Sequence, residues 1–209
     1  MFRGFQYIYN AHMIGTAAVF LFASSVVLQA AGVRTELQMH FDQACQSGKF
    51  MGAASVTVDG KTLFSGACGW AVAEWKVKNT TDTRFSIASI TKEFTAAAVL
   101  LLYEEKKFSL TDAIGKYIPD LPESWRSATI HELLTHTSGV PIYTASADYK
   151  QENPELRRLT LLGDIPRELL GLVWDRPLMF AHGSQFRYNN SGYILLGLLI
   201  ERVSGMPSW

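Results

Sequence analysis

The stretch from Ser89 to Lys107 constrains this chain more than any other. It carries Phe94 and then the unbroken apolar run Ala96 to Leu102. A helix that is apolar around most of its circumference belongs near the centre of a fold. Upstream the period changes. Ala54, Val56 and Val58 alternate with Ser55, Thr57 and Asp59, which is the two-residue repeat of a half-buried strand. Asp59-Gly60 suits a tight hairpin turn, and Lys61 to Gly69 returns as the second strand. Thr35 to Gly48 reads as a short amphipathic helix that ends at its glycine. Further helical runs are expected near Leu110–Tyr117, Thr129–Thr135, Pro154–Leu162 and Ile165–Val173. A last helix runs from about Ser191 to Val203 and stops at Gly205. Strands first and a helix-rich body after them make an α+β fold.

Composition excludes several classes. The 209 residues hold 19 Lys+Arg against 19 Asp+Glu, so the basic excess of a nucleic-acid binder is absent. A hydrophobic fraction of 48% with 18% charged residues supports a buried core and not wholesale disorder. Two cysteines, Cys45 and Cys68, make neither a disulfide scaffold nor a four-cysteine zinc site.

The N-terminus stands apart. After Arg3 no Lys, Arg, Asp or Glu occurs until Arg34, and Met13 to Leu28 is almost wholly apolar or small. Residues 1–32 therefore read as a secretory signal peptide, with Ala30-Ala31-Gly32 supplying the small residues of a cleavage site, or as a retained membrane anchor. Residues 35–209 form the functional domain. Export, to a periplasmic or extracellular location, makes a Cys45–Cys68 disulfide chemically permitted without saying whether the two meet. The only membrane contact expected is through this N-terminal segment.

Familiar catalytic patterns are missing. The chain has no Gly-x-Ser-x-Gly elbow and no phosphate-cradling glycine loop. His131 and His136 are five apart, about 140° around a helix, so they do not make a metal-binding face. His136 reads as a hydrogen-bonded loop histidine beside Ser138-Gly139.

The chemistry points instead to Ser89-Ile90-Thr91-Lys92. Residues three apart share a helix face, so the Ser89 hydroxyl and Lys92 amine come within reach. A lysine beside an apolar face loses solvation, which favours the free amine that could take the serine proton. The helix start adds positive dipole near a developing oxyanion. Alone, such a short pattern is weak. Tyr188-Asn189-Asn190, at a turn before the last helix, adds a phenol able to relay a proton at Tyr188. Asn190 adds an amide able to hold a substrate carbonyl or the lysine.

With these residues in place the chain resembles serine β-lactamase-type hydrolases and penicillin-binding proteins. The branch is that of class C β-lactamases, D,D-carboxypeptidases and esterases. The likeness is carried by Phe85 to Thr95, by Leu133-Leu134-Thr135-His136-Thr137-Ser138-Gly139, by Phe186 to Tyr193 and by Lys116-Tyr117-Ile118-Pro119-Asp120. It implies an antiparallel sheet flanked by helices plus a helical lobe, with no metal or organic cofactor. It also implies Ser89 as the acylated nucleophile, Lys92 as proton acceptor, Tyr188 as acid/base partner and Asn190 as a substrate-positioning amide. The implied activity is acyl-enzyme hydrolysis of an amide or ester: a β-lactam, a D-Ala peptide of peptidoglycan type or a carboxylic ester. The family's third motif, Lys/His-Ser/Thr-Gly or His-x-Gly on a later strand, is not matched before Trp209. The C-terminal sheet strands are accordingly expected to be missing, and a truncated, inactive homologue is the alternative expectation.

Overall fold

The computed structural model describes residues 32–150 and 166–206. The leader or anchor segment, apart from its last residue, and the run expected at Pro154–Leu162 lie outside them. Among the described residues no helix is long and apolar enough to cross a membrane. The chain divides into two compact units, Met1–Ser86 and Ile87–Trp209.

In the first unit a helix, α1, covers residues 32–46, and the chain turns away at Gly48 with φ +69°. Strands β1 (Gly52–Val58) and β2 (Lys61–Cys68) pair antiparallel, from Gly52↔Cys68 to Val58↔Lys61. Asp59 and Gly60 both have positive φ, 49° and 73°, as the tight hairpin turn requires. The pairing steps between Val56↔Phe64 and Thr57↔Thr62, leaving Leu63 as the extra residue of a bulge. Ala54 and Val56 are half-buried and Ser55 and Thr57 exposed, as the alternation predicts, but Val58, beside the hairpin turn, is exposed as well. The Phe41 ring of α1 lies 5.2 Å from Phe64 and 5.7 Å from Phe50, so three phenylalanines seat the helix on the hairpin. Cys45 and Cys68 do form a disulfide, with Cα atoms 6.1 Å apart, bridging positions 23 apart in the chain. A loop of that size contributes roughly 3 kcal/mol by restricting the unfolded chain. A second small hairpin, β3 (Trp70–Val72) with β4 (Val77–Lys78), was not expected. Strands of three and two residues are too short to show a period. Among the described residues both sheets are two-stranded.

The second unit is helical. A 3₁₀ turn at Ala88–Ile90 leads into α2 (Thr91–Glu104). After a 3₁₀ turn at Ile114–Lys116 come α3 (Glu123–Arg126) and α4 (Ile130–Leu134). Another 3₁₀ turn, Tyr143–Ala145, precedes α5 (Ala147–Lys150), followed by α6 (Pro166–Gly171) and α7 (Asn190–Ser204). The central helix is α7, which packs against α2, α4 and α6. Its Leu195, Leu196 and Leu199 are fully buried with Val99, Leu133, Leu170 and Trp125. Each such side chain contributes about 1.5–3 kcal/mol by leaving water.

Two expectations are corrected here. The apolar run of α2 is not central in this unit: Val99 is buried and Leu102 partly so, while Phe94, Leu100 and Leu101 stay exposed. Packing against α7 covers one line of the helix and not its circumference. The helix expected over Leu110–Tyr117 is only the Ile114–Lys116 turn. Local side chains compete for the backbone there: Asp112 accepts the Ser109 N–H at 3.0 Å, and Ser109 Oγ accepts the Thr111 N–H at 3.3 Å, bonds that favour turns over helix. Elsewhere the local signals hold. Thr129 and Glu132 form a reciprocal capping box at the start of α4, worth about 1 kcal/mol. Gly205, with φ +74°, ends α7.

Candidate active site

All four residues singled out in the sequence lie in the second unit. Ser89 sits in the 3₁₀ turn, one residue after Ala88, whose φ is +46°. An alanine there costs about 1–2 kcal/mol, and the bend brings Ser89 to the entry of α2 with its side chain exposed. Lys92 follows in the first turn of α2. Tyr188 and Asn189 lie in an extended segment before α7, where the sequence suggested a turn, and Asn190 is the first residue of that helix. The Asn189 side chain caps α7 by accepting the Gly192 N–H at 3.1 Å and donates to the Val140 carbonyl at 2.6 Å.

The structure brings the four together. Tyr188 donates its hydroxyl to Ser89 Oγ at 2.6 Å. The Lys92 amine donates to Asn190 Oδ1 at 2.8 Å and reaches Ser89 Oγ at 3.4 Å. It also lies 4.9 Å from the centre of the Tyr188 ring and 5.5 Å from that of Tyr193, where a cation meets the negative face of each ring. Of the two roles open to Asn190, the geometry displays the one toward the lysine. Burial raises the Tyr188 phenol, but polar contact with Lys92 and Ser89 and the Lys92 charge outweigh it and leave the phenol below its ordinary 10.

Further residues border the cluster. Tyr193 follows Asn190 by one helical turn, a spacing that shares a face and could have flagged it. Thr144 approaches Asn190 Nδ2 at 3.5 Å, and the Tyr143 N–H donates to Ser191 Oγ at 3.0 Å; nothing in the sequence marks that loop. His136 is no bystander, because its ring centre lies 4.7 Å from Tyr188 and 5.0 Å from Tyr193. Among the described residues no group of three His, Cys, Asp or Glu side chains gathers to hold a metal.

A seam of hydrogen bonds anchors the segment that carries Tyr188. Five consecutive carbonyls, from His136 to Val140, face groups of the returning segment 179–189. The N–H groups of Arg187, Gly183 and Met179 reach His136, Thr137 and Gly139 at 2.9, 2.9 and 2.8 Å. His182 Nδ1 meets Ser138, and Asn189 Nδ2 meets Val140. Gly139 is required here: its φ is +70°, and a Cβ would lie 2.1 Å from the Phe180 carbonyl oxygen.

The fold places the chain in the class of serine β-lactamase and penicillin-binding-protein-like proteins. It belongs to the Beta-lactamase family, whose sequence model matches residues 37–208; members of this family are serine hydrolases. It is 33% identical over 164 residues to Protein flp of Staphylococcus aureus (strain MW2), covering 76% of this chain and 31% of that one. It is 27% identical over 175 residues to penicillin-binding protein 4* of Bacillus subtilis (strain 168), covering 83% and 37%. The crystal structure of a penicillin binding protein from Bacillus halodurans superposes with TM-score 0.64 at 32% identity, covering 80% of this chain and 51% of that chain. The chain thus spans about a third of the length of the curated relatives it matches.

Proposed function

We propose that this chain is the nucleophile-bearing part of an exported serine acyl-hydrolase that acts on an amide or ester. The candidate substrates are a β-lactam, a D-Ala peptide of peptidoglycan type and a carboxylic ester, each a small molecule or peptide and none a nucleic acid. One observation carries the reading: a phenol and an amine from distant parts of the chain converge on Ser89 Oγ. In the proposed reaction Ser89 Oγ bonds to the substrate carbonyl carbon while its proton passes to the Lys92–Tyr188 pair. The carbonyl then reforms, the bond to the amine or alcohol breaks, and the leaving group takes the proton back. Water releases the acyl group by the reverse sequence. Asn190 holds Lys92 in reach of both oxygens, and the N-terminal end of α2 places positive dipole beside Ser89.

The test is acylation of the folded protein by a fluorescent penicillin and by an activated ester, with the labelled peptide located by mass spectrometry. Label on Ser89, lost in Ser89→Ala, is expected. Label on another serine with Ser89 clean, or no label from either probe, overturns the reading.

A further inference from the structure

His136 is an uncommon choice for its position. Its φ is +62°, in the left-handed region where glycine and asparagine are at ease and other side chains cost about 1–2 kcal/mol. Such strain persists where neighbouring contacts hold it in place, and the contacts of His136 are specific. Its carbonyl accepts the Arg187 N–H at 2.9 Å, and its ring Nδ1 accepts the Asn189 N–H at 3.1 Å. The residues on either side of Tyr188 are therefore both bonded to one histidine, whose ring also faces the Tyr188 ring.

We infer that His136 is a positioning residue, which in its neutral form fixes the Tyr188 hydroxyl against Ser89 and Lys92. It acts through Tyr188. The hydrogen bond from Asn189 needs a lone pair on Nδ1 and so the tautomer protonated at Nε2. Protonation turns Nδ1 into a donor that faces another N–H, and this pin on the segment beside Tyr188 is lost. The titratable groups around the ring are Lys92 from α2, Tyr188 from the extended segment and Tyr193 from α7, with Phe186 adding an apolar edge. Burial, and then the positive charge of Lys92, hold the imidazole below its ordinary 6.5. The folded state thus favours the neutral ring. Its contribution is complete above 6.5 and is lost as pH falls through the lowered folded value.

The experiment compares the full chain with His136→Asn and His136→Ala. Asparagine tolerates positive φ, offers Oδ1 near the place of Nδ1, and does not titrate. The first readout is the amide NMR signals of Tyr188 and Asn189 followed from pH 8 to pH 4 beside the His136 imidazole. In the parent these amides should shift together with the imidazole at one midpoint below 6.5, and in His136→Asn that step should vanish. The second readout is the rate at which a penicillin probe acylates Ser89 at neutral pH. His136→Ala should slow it by roughly 10- to 100-fold through misplacement of Tyr188, and His136→Asn should recover most of that loss. An Asn189 amide indifferent to the His136 titration overturns the inference, as does a His136→Ala variant that acylates at the parent rate. The kinetic readout rests on the proposed function. If the parent itself is never labelled at Ser89, that reading falls while the NMR titration still decides the role of His136.

Discussion

The Tyr188 hydroxyl lies 2.6 Å from Ser89 Oγ although 99 positions separate them in the chain. Lys92, only three residues from Ser89, is the more distant neighbour at 3.4 Å. Both groups lie within reach of the Ser89 hydroxyl, and Lys92→Arg tests whether the lysine contributes more than charge. Guanidinium keeps the charge but stays protonated. Acylation of Ser89 in Lys92→Arg should fall by roughly 100-fold or more, the scale of a lost general base. Stopped mixing with a chromogenic probe measures it, and a near-parental rate would remove Lys92 from the proton path.

Asn190 is predicted to matter through the lysine. Asn190→Leu keeps the side-chain shape and removes the oxygen 2.8 Å from the Lys92 amine. Acylation should drop by about tenfold or more as the amine loses its fixed position. Thermal unfolding should change little by comparison, because Asn190 is only partly buried. A large fall in melting temperature with unchanged acylation per folded molecule would assign Asn190 to stability instead.

Gly139 should be intolerant of a single methyl group. A Cβ would stand 2.1 Å from the Phe180 carbonyl oxygen, on a residue with φ +70°. Gly139→Ala is expected to destabilise the protein by about 2–4 kcal/mol, in the range of severe backbone strain. Denaturant unfolding with unchanged slope measures it. A loss below about 0.5 kcal/mol, typical of a neutral surface change, would mean the seam does not close this tightly.

Acid should weaken the loop at Ser109–Tyr117. The Tyr117 hydroxyl, then the Ser109 N–H, then Lys116 hold the Asp112 carboxyl at about 2, down from 3.8. A carboxyl lowered on folding adds stability above its unfolded value, and that stability disappears as pH falls from about 4 to about 2. Asp112→Asn should be less stable than the parent at neutral pH, with the gap closing across that window. A gap independent of pH would place the effect in packing and not in ionisation.

What the sequence disclosed was local. Asp59-Gly60 announced its turn, Thr129 and Glu132 announced α4, and Gly205 announced the end of α7, because each signal and its consequence lie within one turn of chain. Ser89 and Lys92 were legible for the same reason. The meeting of Lys92 with Asn190, 98 positions apart, was not a matter of spacing, since it arises from α7 packing on α2. The chemistry of the amide allowed a bond to the lysine, but nothing in the sequence showed that the two side chains meet. His136 is the hydrogen-bonded loop histidine that the sequence suggests, but its partners, Arg187 and Asn189, lie about fifty residues downstream and no spacing names them. The α2 run misled in the opposite direction, since hydrophobicity reports what a helix could bury and not which of its sides finds a neighbour.

The seam from His136 to Val140 has a mechanical consequence. Chain that leaves after Val140 and returns at Met179 is fastened where it departs, so a strain arising anywhere along that excursion is stopped at the seam before it reaches the contact of Tyr188 with Ser89.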